Sequence, residues 1–152
     1  MSWPGIVLCA YIAAVSIPLV VIDVREHRLP NRLVVPGMGL ALLCGVLEVV
    51  LTSGRGWMPL LAGVVAFAVF ALLCRIGGLG MGDVKLAAVL GVASGFLGGE
   101  AALSSFALAF VLGGIAALGL WLFKRRGSLA FGPFLLLGFW ASTTIALTRL
   151  GS

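Results

Sequence analysis

Six apolar runs divide this chain of 152 residues, and they constrain its fold more than any other feature. We place helices at residues 4–22, 33–51, 58–75, 84–98, 101–123 and 131–149, since about 20 helical residues cross a bilayer. Hydrophobic residues make up 62% of the chain and charged residues 10%, which excludes a soluble domain with a polar shell. The sequence therefore predicts an all-α polytopic membrane protein, a bundle of six transmembrane helices, with residues 1–152 forming a single transmembrane domain.

The basic residues predict how this bundle is oriented. Eight of the ten Lys and Arg residues lie in or beside the first, third and fifth connections: Arg25, Arg28, Arg32, Arg75, Lys85, Lys124, Arg125 and Arg126. By the positive-inside rule these connections lie in the cytoplasm and both termini lie outside. Because orientation accounts for the basic isoelectric point, and aromatic and basic residues do not alternate, we expect a lipid bilayer and no nucleic acid as partner.

Two of the five acidic residues are expected to lie at the same membrane face. Asp23 ends the first run and Asp83 opens the fourth, with one outward and one returning helix between them. Glu48 and Glu100 fall near the opposite face. A carboxylate at a helix end is often only an interfacial charge, but Asp83 follows the apolar, glycine-rich turn "GGLGMG", where an ionisable group is costly and indicates function.

If Asp23 and Asp83 meet, they form an acid–base pair. Two like charges a few ångströms apart do not both ionise readily, so the pair holds one proton over a range of pH. One carboxylate then takes a proton from water while its protonated partner polarises a carbonyl, as in aspartic proteases. No metal or cofactor is predicted, because Cys9, Cys44 and Cys74 are scattered and the chain has a single histidine, His27.

Three segments resemble the type IV prepilin peptidases, members of the GxGD class of membrane aspartyl proteases. "VIDVREHRLPNRLVVPGMGL" (residues 21–40) and "GMGDVKLAAVLG" (residues 80–91) are similar to the two aspartate motifs, and "AFGPFLLLG" (residues 130–138) is similar to the start of the last helix. The resemblance implies that Asp23 and Asp83 are the catalytic pair of a peptidase domain in the cell inner (plasma) membrane. It also implies that the substrate is a prepilin or pseudopilin, whose short leader is removed at the cytoplasmic face.

The residues around Asp83 have supporting roles in this interpretation. Gly80 and Gly82 would let the backbone of the cleaved segment approach, although a loose loop or close helix packing explains them too. Lys85 would orient Asp83 or a neighbouring carbonyl, or act only as an interfacial anchor. The chain lacks the cytoplasmic insert with paired CxxC motifs, so it resembles the short form of tight-adherence (Flp) pilus systems, and no methyltransferase activity is expected.

Two other interpretations remain open at the level of sequence. The first is a proton- or ion-coupled transporter that uses Asp23 and Asp83 as a relay, although transporters usually place polar groups near the bilayer midplane. The second is a structural membrane subunit in which the two aspartates are inert. Small residues are expected to mediate helix packing; Gly91, Gly95 and Gly99 lie four residues apart and are expected to help join the first and fourth helices.

Overall fold

A computed structural model describes residues 2–26, 29–76, 80–122 and 130–151, which form six helices and no strand. The helices are α1 (Trp3–Glu26), α2 (Asn31–Leu51), α3 (Met58–Ile76), α4 (Met81–Gly95), α5 (Gly99–Leu122) and α6 (Gly132–Gly151). The all-α prediction is confirmed.

The outer surface of the bundle is that of a membrane protein. Within the part of the chain that the structure describes, four helices are long and apolar enough to cross a bilayer: α1, α2, α3 and, over Gly99–Gly119, α5. Large apolar side chains point outward, including Ile17 at 75% exposure and Leu103 at 76%. Outward-facing side chains of this kind are stable in lipid, which confirms a polytopic membrane protein.

The short helix α4 occupies the centre of the bundle. It contacts each of the other five helices, and 11 of its 15 residues are buried. At 1.5 Å per residue it is about 22 Å long, less than the roughly 30 Å of a bilayer core. Because protein rather than lipid surrounds α4, its length need not match the thickness of the membrane.

Several helix ends differ from the sequence-based bounds, and two of the largest differences concern the aspartates. Helix α1 continues to Glu26 rather than ending near residue 22, so Asp23 lies within its last turns. Helix α4 begins at Met81 rather than residue 84, so Asp83 lies within its first turn. Apolar runs underestimate helices whose ends carry polar side chains, because hydropathy does not register backbone hydrogen bonds.

Glycines set the close packing of α4 against α3. A Cβ atom added at Gly91 would lie 2.7 Å from the carbonyl oxygen of Ala62, and one added at Gly95 would lie 2.6 Å from Pro59 Cα. Such close backbone approach is typical of membrane helices that pack through small residues. The expectation that Gly91 and Gly95 help join α1 to α4 is wrong, since their missing side chains face α3.

Successive helices run in opposite directions, so alternate connections come together. The end of α1 meets the start of α6, and the start of α4 meets the start of α2, through hydrogen bonds described below. Asp23 and Asp83 therefore lie at one end of the bundle. Glu48, three residues before the end of α2, and Glu100, the second residue of α5, lie towards the other end.

Candidate active site

Asp23 is buried near the end of α1, with only 4% of its surface exposed. Its Oδ2 atom accepts a hydrogen bond of 3.0 Å from the backbone N–H of Gly132, the first residue of α6. The first N–H groups of a helix have no partner within that helix, so Gly132 has a donor to offer. This bond fixes the carboxyl group of Asp23 across a sequence separation of 109 residues.

Asp83 is the third residue of α4 and is 9% exposed. Its Oδ2 atom reaches back to accept a hydrogen bond of 3.2 Å from the N–H of Gly80, the residue that precedes the helix. This is the acidic half of a capping box, which satisfies one of the free amides at a helix start. Asp83 Oδ1 is also buried, but it has no hydrogen-bond partner within the described residues.

The two carboxyl groups lie close enough for their charges to interact. Leu29, from the connection between α1 and α2, packs between the segments that carry them. A Cβ atom added at Gly82 would lie 2.7 Å from Leu29 Cβ, and one added at Gly132 would lie 3.4 Å from Leu29 Cδ2. The ends of α1 and the starts of α4 and α6 thus converge on one small region.

Two helix N-termini favour negative charge in this region. Asp83 lies in the first turn of α4, where the helix dipole stabilises a carboxylate. Asp23 lies near the C-terminus of its own helix, which is the unfavourable end, but it binds the first amide of α6. The start of α6 therefore offsets the effect that α1 has on Asp23.

The two glycines of the "GMGD" motif differ in what surrounds them. Gly82 is packed so closely on Leu29 that no side chain fits without movement. At Gly80 an added Cβ would meet its nearest neighbour, Asp83 Oδ2, at an ordinary 3.5 Å, and its φ of −78° is open to any residue. Close packing therefore explains Gly82, whereas a Cβ atom at Gly80 would make only ordinary contacts with the described residues.

Lys85 binds a group other than the aspartates. Its Nζ atom donates a hydrogen bond of 3.0 Å to Oδ1 of Asn31, the first residue of α2, at an exposed position. This contact ties the start of α4 to the start of α2. A role in orienting Asp83 stays a prediction without a described contact to support it.

Some residues named from the sequence lie outside the described residues: His27, Arg28, the first three residues of "GGLGMGD", and the basic group Lys124, Arg125 and Arg126. Within the described ranges, no three His, Cys, Asp or Glu side chains converge as a metal site requires.

Sequence reasoning missed the contribution of Gly132. The segment "AFGPFLLLG" was related only to the start of the last helix, yet the amide of Gly132 binds Asp23, and an added Cβ would lie 2.6 Å from Asp23 Oδ2. The available signal was Gly-Pro at the start of a predicted helix, since proline favours the first turn. That signal locates a helix start but does not say which carboxylate its amides face.

A comparison with known protein families identifies the family of this chain. The model of the type IV leader peptidase family matches residues 10–118. This chain belongs to that family. Family membership makes it a membrane peptidase, and the matched region contains both aspartates but ends before α6. No curated protein and no solved structure matches the chain.

Proposed function

We propose that this protein is a prepilin leader peptidase, an aspartic endopeptidase that removes the short leader of a type IV prepilin or pilin-like protein. Asp23 and Asp83 are its catalytic pair, and the cleavage takes place at the cytoplasmic face of the inner membrane. The observation that supports the proposal is a pair of buried carboxyl groups, close enough for their charges to interact, at one end of a membrane bundle from a peptidase family.

The hydrogen bonds favour different protonation states for the two acids. Asp23 accepts the first amide of α6, which stabilises a carboxylate. Asp83 has one oxygen, Oδ1, that is buried without a described donor, and an ionised oxygen in that position is costly. In our proposal Asp23 is therefore the base, and Asp83 carries the shared proton on Oδ1.

The reaction then proceeds by general acid–base catalysis. Asp23 takes a proton from a water molecule, whose oxygen bonds to the scissile carbonyl carbon, while Asp83 gives its proton to the carbonyl oxygen. The resulting tetrahedral diol collapses as its C–N bond breaks. The leaving amine takes the proton held by Asp23, and the proton of the diol returns to Asp83, so the pair recovers its starting state.

Gly80 is the proposed contact for the substrate backbone. Among the described residues, a Cβ atom at Gly80 would make only ordinary contacts, which is compatible with an extended segment along the turn before α4, and extended peptides bind proteins through backbone hydrogen bonds. Gly82, by contrast, shapes the site from within through its contact with Leu29.

The arrangement of acids gives no support to a proton or ion relay. All five acidic residues lie in the described part of the chain. Asp23 and Asp83 lie at one end of the bundle, and Glu48 and Glu100 lie towards the other. A relay needs ionisable groups between the two faces, and none of the five fills that gap.

Cleavage of a purified substrate tests the proposal. Wild-type protein in lipid vesicles is mixed with a pilin-like substrate, and the new N-terminus of the product is identified by mass spectrometry. We expect Asp23→Asn and Asp83→Asn each to abolish cleavage, while the control Glu100→Gln, at the other end of the bundle, cleaves normally. Full activity of either aspartate variant would remove the basis of the proposed mechanism.

A further inference from the structure

An apolar groove begins beside the candidate active site and runs along the bundle. It has a volume of about 290 Å³ and lies between α1 and α6. Val21, on its α1 side, precedes Asp23 by two residues, and Pro133, on its α6 side, directly follows Gly132. Because Gly132 binds Asp23, both walls of this α1–α6 groove begin within two residues of that hydrogen bond.

The far end of the α1–α6 groove is closed by a polar contact. Trp140 Nε1 donates a hydrogen bond of 3.1 Å to Ser16 Oγ, which joins the two helices. From Asp23 to Ser16 the groove spans seven residues, or about 10 Å at 1.5 Å per residue. That length is roughly a third of the 30 Å bilayer core.

The α1–α6 groove is open along its side. Ile17 on one rim is 75% exposed and Leu137 on the other rim is 56% exposed. A helix about 10 Å wide and 10 Å long occupies roughly 800 Å³, so the groove accommodates the side chains of one helix face rather than a whole helix. An apolar helix in the membrane can therefore dock along it from the lipid.

We propose that the α1–α6 groove binds the hydrophobic helix of the substrate, from the scissile bond onward. This inference rests on the proposed function, because a leader peptidase cuts just before an apolar segment that lies in the bilayer. The substrate chain that leaves Asp23 and Asp83 must enter the membrane, and this groove starts within one helical turn of Asp23 and runs along α1 and α6 away from it. Its position next to the candidate site distinguishes it from an ordinary lipid-facing crevice.

A second apolar groove provides a matched comparison. It lies among α2, α3 and α4 and is lined by residues that include Leu42 and Val92. On α4, its lining residue nearest in sequence to Asp83 is Ala88, five residues away, whereas the α1–α6 groove includes Val20, one helical turn from Asp23, and Pro133, next to Gly132. Because the second groove begins farther along its helix from the aspartate, we assign it to lipid.

Tryptophan substitutions in the two grooves test the proposal kinetically. Leu137 is 56% exposed in the α1–α6 groove and Leu42 is 58% exposed in the second groove. In wild-type background, Leu137→Trp is expected to raise KM for the full-length substrate roughly tenfold, equivalent to about 1.4 kcal/mol, with a smaller effect on kcat. Leu42→Trp is expected to leave both constants unchanged.

Photocrosslinking gives a measurement that does not depend on how tryptophan packs. A benzoylphenylalanine is placed at position 137 or 42 of the Asp83→Asn variant, which retains uncleaved substrate, in vesicles that contain that substrate. Crosslinking to the substrate helix from position 137 and not from position 42 supports the proposal. Crosslinks from position 137 to lipid alone, or equal substrate crosslinking from both positions, would overturn it.

The experiments distinguish a failure of the proposed function from a failure of the docking proposal. If the wild-type protein cleaves no pilin-like substrate, the proposed function is wrong. If the wild-type protein cleaves it, but Leu137→Trp behaves like Leu42→Trp and position 137 forms no crosslink to the substrate, only the docking proposal is wrong.

Discussion

Replacing Gly132 by alanine tests how strongly catalysis depends on the contact between α6 and Asp23. The new Cβ would lie 2.6 Å from Asp23 Oδ2 and 3.3 Å from its Cγ. Ordinary contact begins at 3.4 Å, so the carboxyl group must move by about 0.8 Å. A movement of that size disrupts a 3.0 Å hydrogen bond, since N–H···O bonds rarely exceed about 3.2 Å.

The expected loss of kcat follows from the strength of the hydrogen bond between Gly132 and Asp23. A hydrogen bond to a charged group contributes about 1.5–3 kcal/mol, which corresponds to roughly a 10- to 150-fold lower kcat if the bond positions the base. KM should change little, because Gly132 lies beside the carboxylate rather than in the proposed substrate groove. Steady-state cleavage in lipid vesicles measures both constants for Gly132→Ala.

A matched control separates this effect from a general effect of alanine in a helix. At Gly39, in α2, an added Cβ meets no atom within 4 Å, so Gly39→Ala should retain wild-type kcat and thermal stability. If Gly132→Ala has the same kcat as Gly39→Ala, then the amide of Gly132 does not position Asp23 for the reaction. Cooperative thermal unfolding of both variants verifies that a lower kcat of Gly132→Ala does not come from misfolding.

Four further substitutions test other contacts of α4. Gly82→Ala should lower both cleavage and the melting temperature in detergent, because its Cβ would lie 2.7 Å from Leu29 Cβ; Gly80→Ala has ordinary space and should lower cleavage alone. Lys85→Met removes one exposed hydrogen bond, so we expect at most about a threefold loss of activity, and a loss of a hundredfold or more would place Lys85 in the reaction. Gly91→Leu should separate α4 from α3 and reduce the yield of monodisperse protein in size-exclusion chromatography; an unchanged elution profile would contradict the packing argument.

Apolar runs were sufficient to predict the helices, but not how the helices pack. Each run is long enough that burial in lipid requires a helix, since every backbone amide must be satisfied internally. Which face of a helix packs against which neighbour is harder to predict, because residues such as Gly91 have apolar neighbours on all sides of α4. Hydropathy along a buried helix has no polar face from which to deduce its orientation, so the glycines were assigned to α1 rather than to α3.

The sequence was sufficient to predict the two acidic residues of the candidate site, but not the backbone amides that donate hydrogen bonds to them. Asp23 and Asp83 stand out because carboxylates are rare in this chain, and alternating helices bring them to one face. The amide of Gly132 cannot be recognised in the sequence in the same way, since every residue except proline carries an N–H group. Which amide meets which carboxylate depends on how α6 packs against α1, a tertiary contact 109 residues apart in sequence.

The family match ends at residue 118, yet the geometry makes α6 part of the site. Without α6, Asp23 would lie at the negative end of its own helix and close to a second carboxyl group, and both effects oppose its ionised form. The first amide of α6 counters them where the base needs its charge. The same helix forms one wall of the α1–α6 groove, so a single element both holds the proposed base and positions the proposed substrate helix next to it.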